Sequence, residues 1–413
     1  MKDLKNLFKL VWKRFSVWII LLTILTLLLN GLSARDQIKR NEDILENLVV
    51  SMAKDVGEKA PKSDGEFDEK YIEESKKIFD KFQKKYKLHF TEADEDGYFP
   101  GFFEEDDPSI DYEKVSLANN FKQAMHFISE KGIANNYYNA NLFAPLVFFV
   151  SVIGFLITSM EQSFPYYEFT TMLPWKKRDE VWMKALIVFG LGLGLFLVNL
   201  FVSSLILGTS NLSNVAGTPS IGNIAGKLIL TMFGTSILVV STGMIAGNFL
   251  GHIGMMIVAL GGFELIWQNI RVIISIFSPA FDENLLFNLD QKFERFLTNI
   301  PEITKPFISI THTKEEYAYL FGFIIVAILW AVLAYFVSQK LSGEKSGYMI
   351  ISNPIEKFVK ILAILSFTSL FYVIISDTIV GINSIPLDLA IYILGLLISI
   401  KLFDILFKIR LKF

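Results

Sequence analysis

Eight apolar runs, each near 20 residues, decide what this chain can fold into: 15–32, 140–159, 185–207, 228–249, 253–277, 317–338, 359–376 and 386–407. A helix of about 20 apolar residues matches the thickness of a bilayer, and inside a bilayer each backbone polar group must be satisfied within its own segment. The runs therefore read as membrane helices, and 52% hydrophobic residues over 413 positions agree. The first run could imitate a secretory signal, but it is long and no small-residue cleavage site follows it. The run 253–277 is interrupted by Glu264 and Arg271. The expected class is an all-α polytopic membrane protein with about eight transmembrane helices. With no cysteine in the chain, disulfides and thiolate metal sites are excluded. A net charge of −3 gives no reason to expect a nucleic-acid partner.

Cations orient the spans, because short cytoplasmic loops collect Lys and Arg. Lys2, Lys5, Lys9, Lys13 and Arg14 precede the first run, and Lys408, Arg410 and Lys412 follow the last, so both termini are expected inside. The loop after the second run carries Lys176, Lys177, Arg178 and Lys184, and the loop 339–358 after the sixth carries Lys340, Lys345 and Lys357, with Lys360 just beyond. The stretches 208–226 and 377–385 have neither Lys nor Arg, and 278–316 is mixed but net acidic.

Residues 33–139 form one large insert, expected to be a small, mainly helical extracellular domain. It holds 16 Lys and Arg against 24 Asp and Glu, a net charge of −8. Long outer domains translocate regardless of charge. Residues 36–56 and 66–86 read as amphipathic helices, with Tyr71, Ile72, Ile78, Phe79, Phe82 and Tyr86 at helical spacing in the second. The stretch 57–66 reads as a turn or linker. Residues 1–14 place Leu4, Leu7, Phe8, Val11 and Phe15 on one stripe and Lys5, Lys9 and Lys13 on another. That pattern fits an interfacial helix and equally a plain cationic anchor ahead of the first span, 15–32.

The segment 161–184 looks built rather than merely connecting. Ser163 can cap a helix and Pro165 is tolerated in its first turn. Phe169, Met172 and Leu173 share a face, Pro174 ends the element, and Glu180 with Lys184 forms an i, i+4 pair. A short interfacial helix resting on the membrane is the plain alternative.

Glu161, then Glu168-Phe169, Leu173-Pro174 and the Lys176-Lys177-Arg178 run, followed by Lys184, resemble the cytoplasmic loop of ABC-2 type transporter permeases. That resemblance implies a coupling helix that inserts into a cleft of a separate ATPase subunit. Glu161, Glu168, Phe169, Leu173, Pro174, Lys177 and Arg178 would be its docking positions. Ser342-Gly343-Glu344-Lys345-Ser346-Gly347 looks like the Glu-x-x-Gly stretch found at the matching place in permeases with a large outer domain between spans one and two, which adds Glu344 and Gly347. Asn353-Pro354-Ile355-Glu356 then reads as a cap, a first-turn proline and a capping-box glutamate. The resemblance covers order and spacing over most of 1–376. It further implies a bacterial cytoplasmic membrane and a second permease subunit, identical or homologous. The core would be 140–338, with the segment 359–413 adding two spans to the usual six. Trp175 also departs from the smaller residues usual there.

The chain lacks a phosphate-binding loop of the form G-x-x-x-x-G-K-[ST]. Its one Gly-Lys pair, Gly226-Lys227, is followed by Leu228 and preceded five residues earlier by Ile221. No enzyme activity and no cofactor of its own are therefore expected. ATP and Mg would be bound by the partner subunit.

Several further residues carry open alternatives. Glu264 and Arg271 lie seven apart on about one face of a membrane run, where ionisable groups are functional candidates. They could pair, meet substrate headgroups or seal an interface between halves; alternatively the helix breaks at Gly261-Gly262 and leaves Glu264 near water. Lys401 and Asp404 read as a structural pair. Gly243, Gly247 and Gly251 make a small-residue stripe suited to close helix packing or a dimer contact. Glu92, Asp94 and Asp96 imitate the first half of a calcium loop, but position 12 is Phe103, and a solvated acidic surface is the better explanation, with weak divalent binding the lesser alternative. His89, His126, His252 and His312 show no metal spacing.

Three functions follow. The first is the permease subunit of an ABC exporter for an amphipathic peptide, antimicrobial or lipid. The second is a membrane sensor or resistance module that captures a ligand with its acidic outer domain. The third, an intramembrane lipid enzyme, needs a cluster of membrane carboxylates or histidines that the sequence does not offer.

Overall fold

The computed structural model describes residues 2–61, 67–91, 101–104, 112–128, 133–164, 176–215, 220–277, 285–310, 316–339, 347–376 and 384–411. Helix dominates. In chain order the elements are α1 (Lys2–Val56), α2 (Glu69–Lys85), β1 (Leu88–Thr91), β2 (Gly101–Glu104), α3 (Tyr112–Ile128), α4 (Ile133–Phe155), α5 (Lys177–Gly208), α6 (Ile221–Ile245), α7 (Phe249–Phe277), α8 (Leu285–Asn299), a 3₁₀ turn (Glu302–Phe307), α9 (Tyr317–Ser338), α10 (Asn353–Val373) and α11 (Ile385–Leu406). Eight of the described helices are long and apolar enough to cross a membrane, matching the eight apolar runs.

The chain divides into two compact units. One comprises 22–146 and 194–228 and holds the insert 33–139. The sequence segments set apart as 1–14, 15–32 and 36–56 are a single helix of 55 residues, of which 22–56 belong to this unit. No proline or glycine stands between Ser33 and Val56, so nothing in the backbone ends it before Gly57, which takes a positive φ of 77°. Leu45, Leu48, Val49 and Met52 recur at helical spacing along its buried side. They share the unit's apolar core with Tyr71, Ile78 and Phe82 of α2 and Phe121 of α3, whose ring stacks on Phe79 at 4.6 Å between centroids. Asp68 caps α2, its side chain accepting from the Tyr71 amide at 2.7 Å. Burial pushes the Tyr71 hydroxyl up to about 12. Lys114 of α3 reaches Asp55 at 2.6 Å and ties the insert's last helix to the end of α1.

The antiparallel pair β1–β2, with Leu88 opposite Glu104 and Phe90 opposite Phe102, adds strand to an insert expected to be mainly helical. A polar seam joins α1, α4 and α5. Tyr137 donates to the Ser203 carbonyl at 2.9 Å, Asn30 to Ser203 Oγ at 3.2 Å, and Ser33 to Asn141 Oδ1 at 2.9 Å. Such bonds hold helices together where apolar contact gives little net gain.

The other unit comprises 1–21, 147–193 and 229–413. Its part of α6 is buried on all sides: Met232, Ile237, Leu238, Val239, Val240, Met244 and Ile245 are within the core. The hydroxyls of Ser236, Ser241 and Thr242 bond back to carbonyls one turn earlier and so cost little to bury. Gly154 and Gly234 let neighbours approach: an added Cβ would lie 2.6 Å from Val239 and from Phe323 respectively.

Helix α7 breaks at Gly262, which has φ 47° and ψ −130°. The Phe263 amide there donates to the Ile308 carbonyl at 2.8 Å, and the Ile310 amide donates to the Leu260 carbonyl at 2.9 Å. The 3₁₀ turn thus folds back to the middle of α7. It also runs against α9, where a Cβ on Gly322 would lie 2.0 Å from the Ile303 carbonyl oxygen. Helices α10 and α11 pack on each other and on α7 through Ile276, Tyr372 and Ile391. Asn269 links α7 to α10, accepting from Ser369 at 2.7 Å and donating to Ser366 at 3.2 Å. Asp404 bonds Lys360 of α10 rather than Lys401, so the pair expected at i, i+3 is an interhelical one.

Candidate functional site

The ends of the segment 161–184 meet in a buried ion cluster. The helix of α4 runs on through a π-helical turn, Leu156–Met160, to Glu161. A π turn inserts one residue per turn and re-aims the side chains after it, a device frequent at functional positions. Helix α5 opens with Glu180 and Lys184 one turn apart. Lys184, fully buried, donates to Glu161 Oε2 at 2.7 Å and lies 3.6 Å from Glu180 Oε1. Arg14 of α1 bonds the other carboxylate oxygen, Glu161 Oε1. Two cations thus face two carboxylates, and the cluster is neutral, the condition under which buried charge is tolerated. Its members come from α1, the end of α4 and the start of α5, all in one unit.

A second polar group lies beside the same π turn. His252 near the start of α7 is fully buried. Its Nδ1 sits 2.8 Å from Ser159 Oγ, its Nε2 lies 3.2 Å from Thr242 Oγ1 of α6, and its ring stacks on Phe155 at 5.2 Å. Gly243 leaves room for this arrangement, since a Cβ there would lie 2.1 Å from Thr158 Oγ1.

The α6–α7 junction in turn grips the second expected loop. Asn248 caps α7, its Oδ1 accepting from the Gly251 amide at 2.8 Å, while its Nδ2 donates to the Gly347 carbonyl at 2.8 Å. Residues 245–247 and 347–351 run antiparallel: Gly347 N donates to Gly247 O, Gly247 N to Met349 O, and Ile351 N to Ile245 O. A Cβ on Gly251 would stand 1.7 Å from the Met349 carbonyl oxygen, so this crossing needs glycine. Leu411 after α11 closes the set by donating to Gly347 O at 2.8 Å.

Several expected positions therefore have a definite place. Glu161 is 2% exposed and its carboxylate is spent on Arg14 and Lys184, so it faces inward rather than outward as a docking contact. Gly347, with φ 92°, is buried and serves the crossing through its backbone. Lys177 and Arg178 open α5, but their side chains lie outside the described residues, as do Glu168, Phe169, Leu173, Pro174 and Glu344 entirely. Ser163 ends the α4 extension and donates to the Ser159 carbonyl at 2.9 Å, while the helix it was expected to cap lies outside the described residues. Ser352 rather than Asn353 holds the cap position of α10. Glu264 and Arg271 do not pair. Arg271 bonds Asp290 of α8 at 2.8 Å, and Glu264 follows the Gly262 break, half-buried. Glu92, Asp94 and Asp96 lie outside the described residues, and among those described no group of His, Asp and Glu is placed to hold a metal. Arg14, Ser159, Thr242 and His252 were not singled out from sequence as parts of one site.

Eight long apolar helices define a multi-pass, mainly helical membrane protein. Compared with protein-family models, with curated proteins and with solved structures, the chain matches none of them.

Proposed function

We propose that this chain is the membrane-spanning permease subunit of an ATP-binding cassette transporter of the ABC-2 type, exporting an amphipathic substrate. The ATPase is a separate subunit that docks on the segment 161–184 and on the loop 339–358. The permease works as a pair, with an identical or homologous second copy. The observation that supports this reading most is the neutral cluster of Arg14, Glu161, Glu180 and Lys184. A loop that only connects two spans has no need of both ends pinned through a buried lysine. A loop that is pushed does, because force on its tip must reach the spans. The cluster joins the loop's two ends to α1, α4 and α5, and the 347–351 crossing joins the second loop to α6, α7 and the C-terminus. ATP-driven closure of the partner would move both loops, and these ties would carry the movement into the spans.

Affinity purification of tagged protein in detergent tests the reading. Wild type is compared with Glu168→Arg combined with Leu173→Asp. Wild type brings down an ATPase of the ABC type and the variant loses it while remaining folded. Equal capture by both keeps the partner and rejects the docking positions. Absence of any ATPase under conditions that preserve such complexes rejects the permease reading.

A further inference from the structure

The first turns of α1 and the beginning of α5 enclose a groove of about 730 Å³ within one unit. Its walls are Leu4, Phe8, Leu186, Ile187 and Leu191, and Gly190 leaves its floor open: a Cβ there would meet nothing within 4 Å. Lys5 lines the rim, and exposed Lys9 and Lys13 follow at one-turn intervals on the same side of α1. Residues 2–14 hold five cations (Lys2, Lys5, Lys9, Lys13, Arg14) and one carboxylate, Asp3, a net charge of 5 − 1 = +4. Arg14 is committed to Glu161. Phe8 and Trp12 are both exposed, with ring centroids 6.3 Å apart, the kind of aromatic pair that settles at headgroup depth.

We infer that this groove is a binding site for a phospholipid with an anionic headgroup. The acyl chain lies along Leu186, Ile187 and Leu191 over Gly190, and Lys5 and Lys9 hold the phosphate. Charge selects this occupant. The groove opens beside the first residues of a membrane helix, where lipid is the solvent, and a zwitterionic lipid would fill the apolar part yet leave the lysines without a net negative partner. Basic pockets at the ends of membrane helices recognise anionic headgroups in this way. The site is independent of any ATPase and involves none of the expected docking residues.

The test uses full-length protein in nanodiscs of phosphatidylcholine, alone or mixed with phosphatidylglycerol. Lipid retained after mild detergent stripping is counted by native mass spectrometry. Wild type retains phosphatidylglycerol in preference to phosphatidylcholine. Lys5→Ala with Lys9→Ala lowers that preference by roughly thirty-fold, from about a decade and a half for two surface cations. Gly190→Trp, at a position where an added Cβ meets nothing within 4 Å, fills the groove and removes the retained lipid of either kind. Equal retention of both lipids by wild type, or an unchanged preference in the lysine variant, overturns the inference. So does a Gly190→Trp protein that keeps its lipid or instead loses a second copy of the chain. Lys5 and Lys9 are exposed, so the lysine variant folds and decides the matter even if Gly190→Trp does not.

Discussion

Lys184 is the residue on which the cluster depends. Removing one member of a buried ion set leaves an uncompensated charge and costs about 3–5 kcal/mol, whereas replacing a pair with apolar groups of similar volume is close to neutral. Lys184→Met leaves two carboxylates facing one guanidinium, and a large fall in thermal stability, read by fluorescence-detected size exclusion, is expected. Adding Glu161→Leu to that variant recovers part of the loss. A Lys184→Met protein as stable as wild type would mean that the cluster is hydrated rather than buried. The glycines offer a sharper contrast. Gly251→Ala drives a Cβ into the Met349 carbonyl and costs about 1–3 kcal/mol through overpacking, while Gly190→Ala points into open space and stays within about 0.5 kcal/mol of wild type. At this scale the sequence was partly legible. Glu180 with Lys184 could be read because i, i+4 spacing is local. Arg14 with Glu161 could not, because 147 positions separate them and only the packing of spans brings them together. The same gap turned Glu161 into a docking contact on paper: residue type is visible in sequence, exposure is not.

Helix α7 shows how an element can be legible in extent and illegible in shape. Its apolar run marks a span, and Gly261-Gly262 marks a weak point, but only the structure shows what fills the break. The Phe263 amide has no intrahelical partner there and takes the Ile308 carbonyl instead. Non-helical backbone survives at membrane depth only where protein or a water-filled cavity covers it. Gly262→Ala strains the positive φ by about 1–2 kcal/mol and sets a Cβ 2.5 Å from the Ile308 oxygen, so the 301–310 segment is expected to detach. Hydrogen exchange followed by mass spectrometry reads this as lost protection at Phe263 and Ile310 with α6 unchanged; retained protection at both amides would show that the break does not need glycine. In α1 the miss runs the other way. The switch from apolar to charged residues near Ser33 suggested a domain border, yet polarity alters what surrounds a helix without ending it, and only Gly57 ends it. The strands β1 and β2 escaped notice because four residues each, beside a strongly acidic run, give too little alternation to recognise.

At the scale of the whole molecule, sidedness connects the count of spans to the proposed partner. Eight apolar helices, if each crosses once, bring residues before α1 and after α11 to one side, and the Lys and Arg of the loops make the cytoplasm the side proposed for it. The chain has no cysteine, so single cysteines can be introduced without first removing any. Glu73 and Thr209 are exposed in the unit that carries the insert, and Lys176, Lys357 and Lys408 are exposed in the other. Glu73→Cys and Thr209→Cys are expected to react with a membrane-impermeant maleimide on intact cells. Lys176→Cys, Lys357→Cys and Lys408→Cys are expected to react only after permeabilisation. A fully inverted pattern would put 161–184 outside, and the ATPase proposal would fall with it, since no nucleotide-driven partner could reach that loop. A mixed pattern, with Lys176 protected and Lys408 open, would remove one crossing from the second half, and α7, already broken at Gly262, would be the helix to re-examine. The expected pattern leaves both loops and the C-terminus facing the cytoplasm, which is the geometry a single ATPase needs in order to press on 161–184 and 339–358 together.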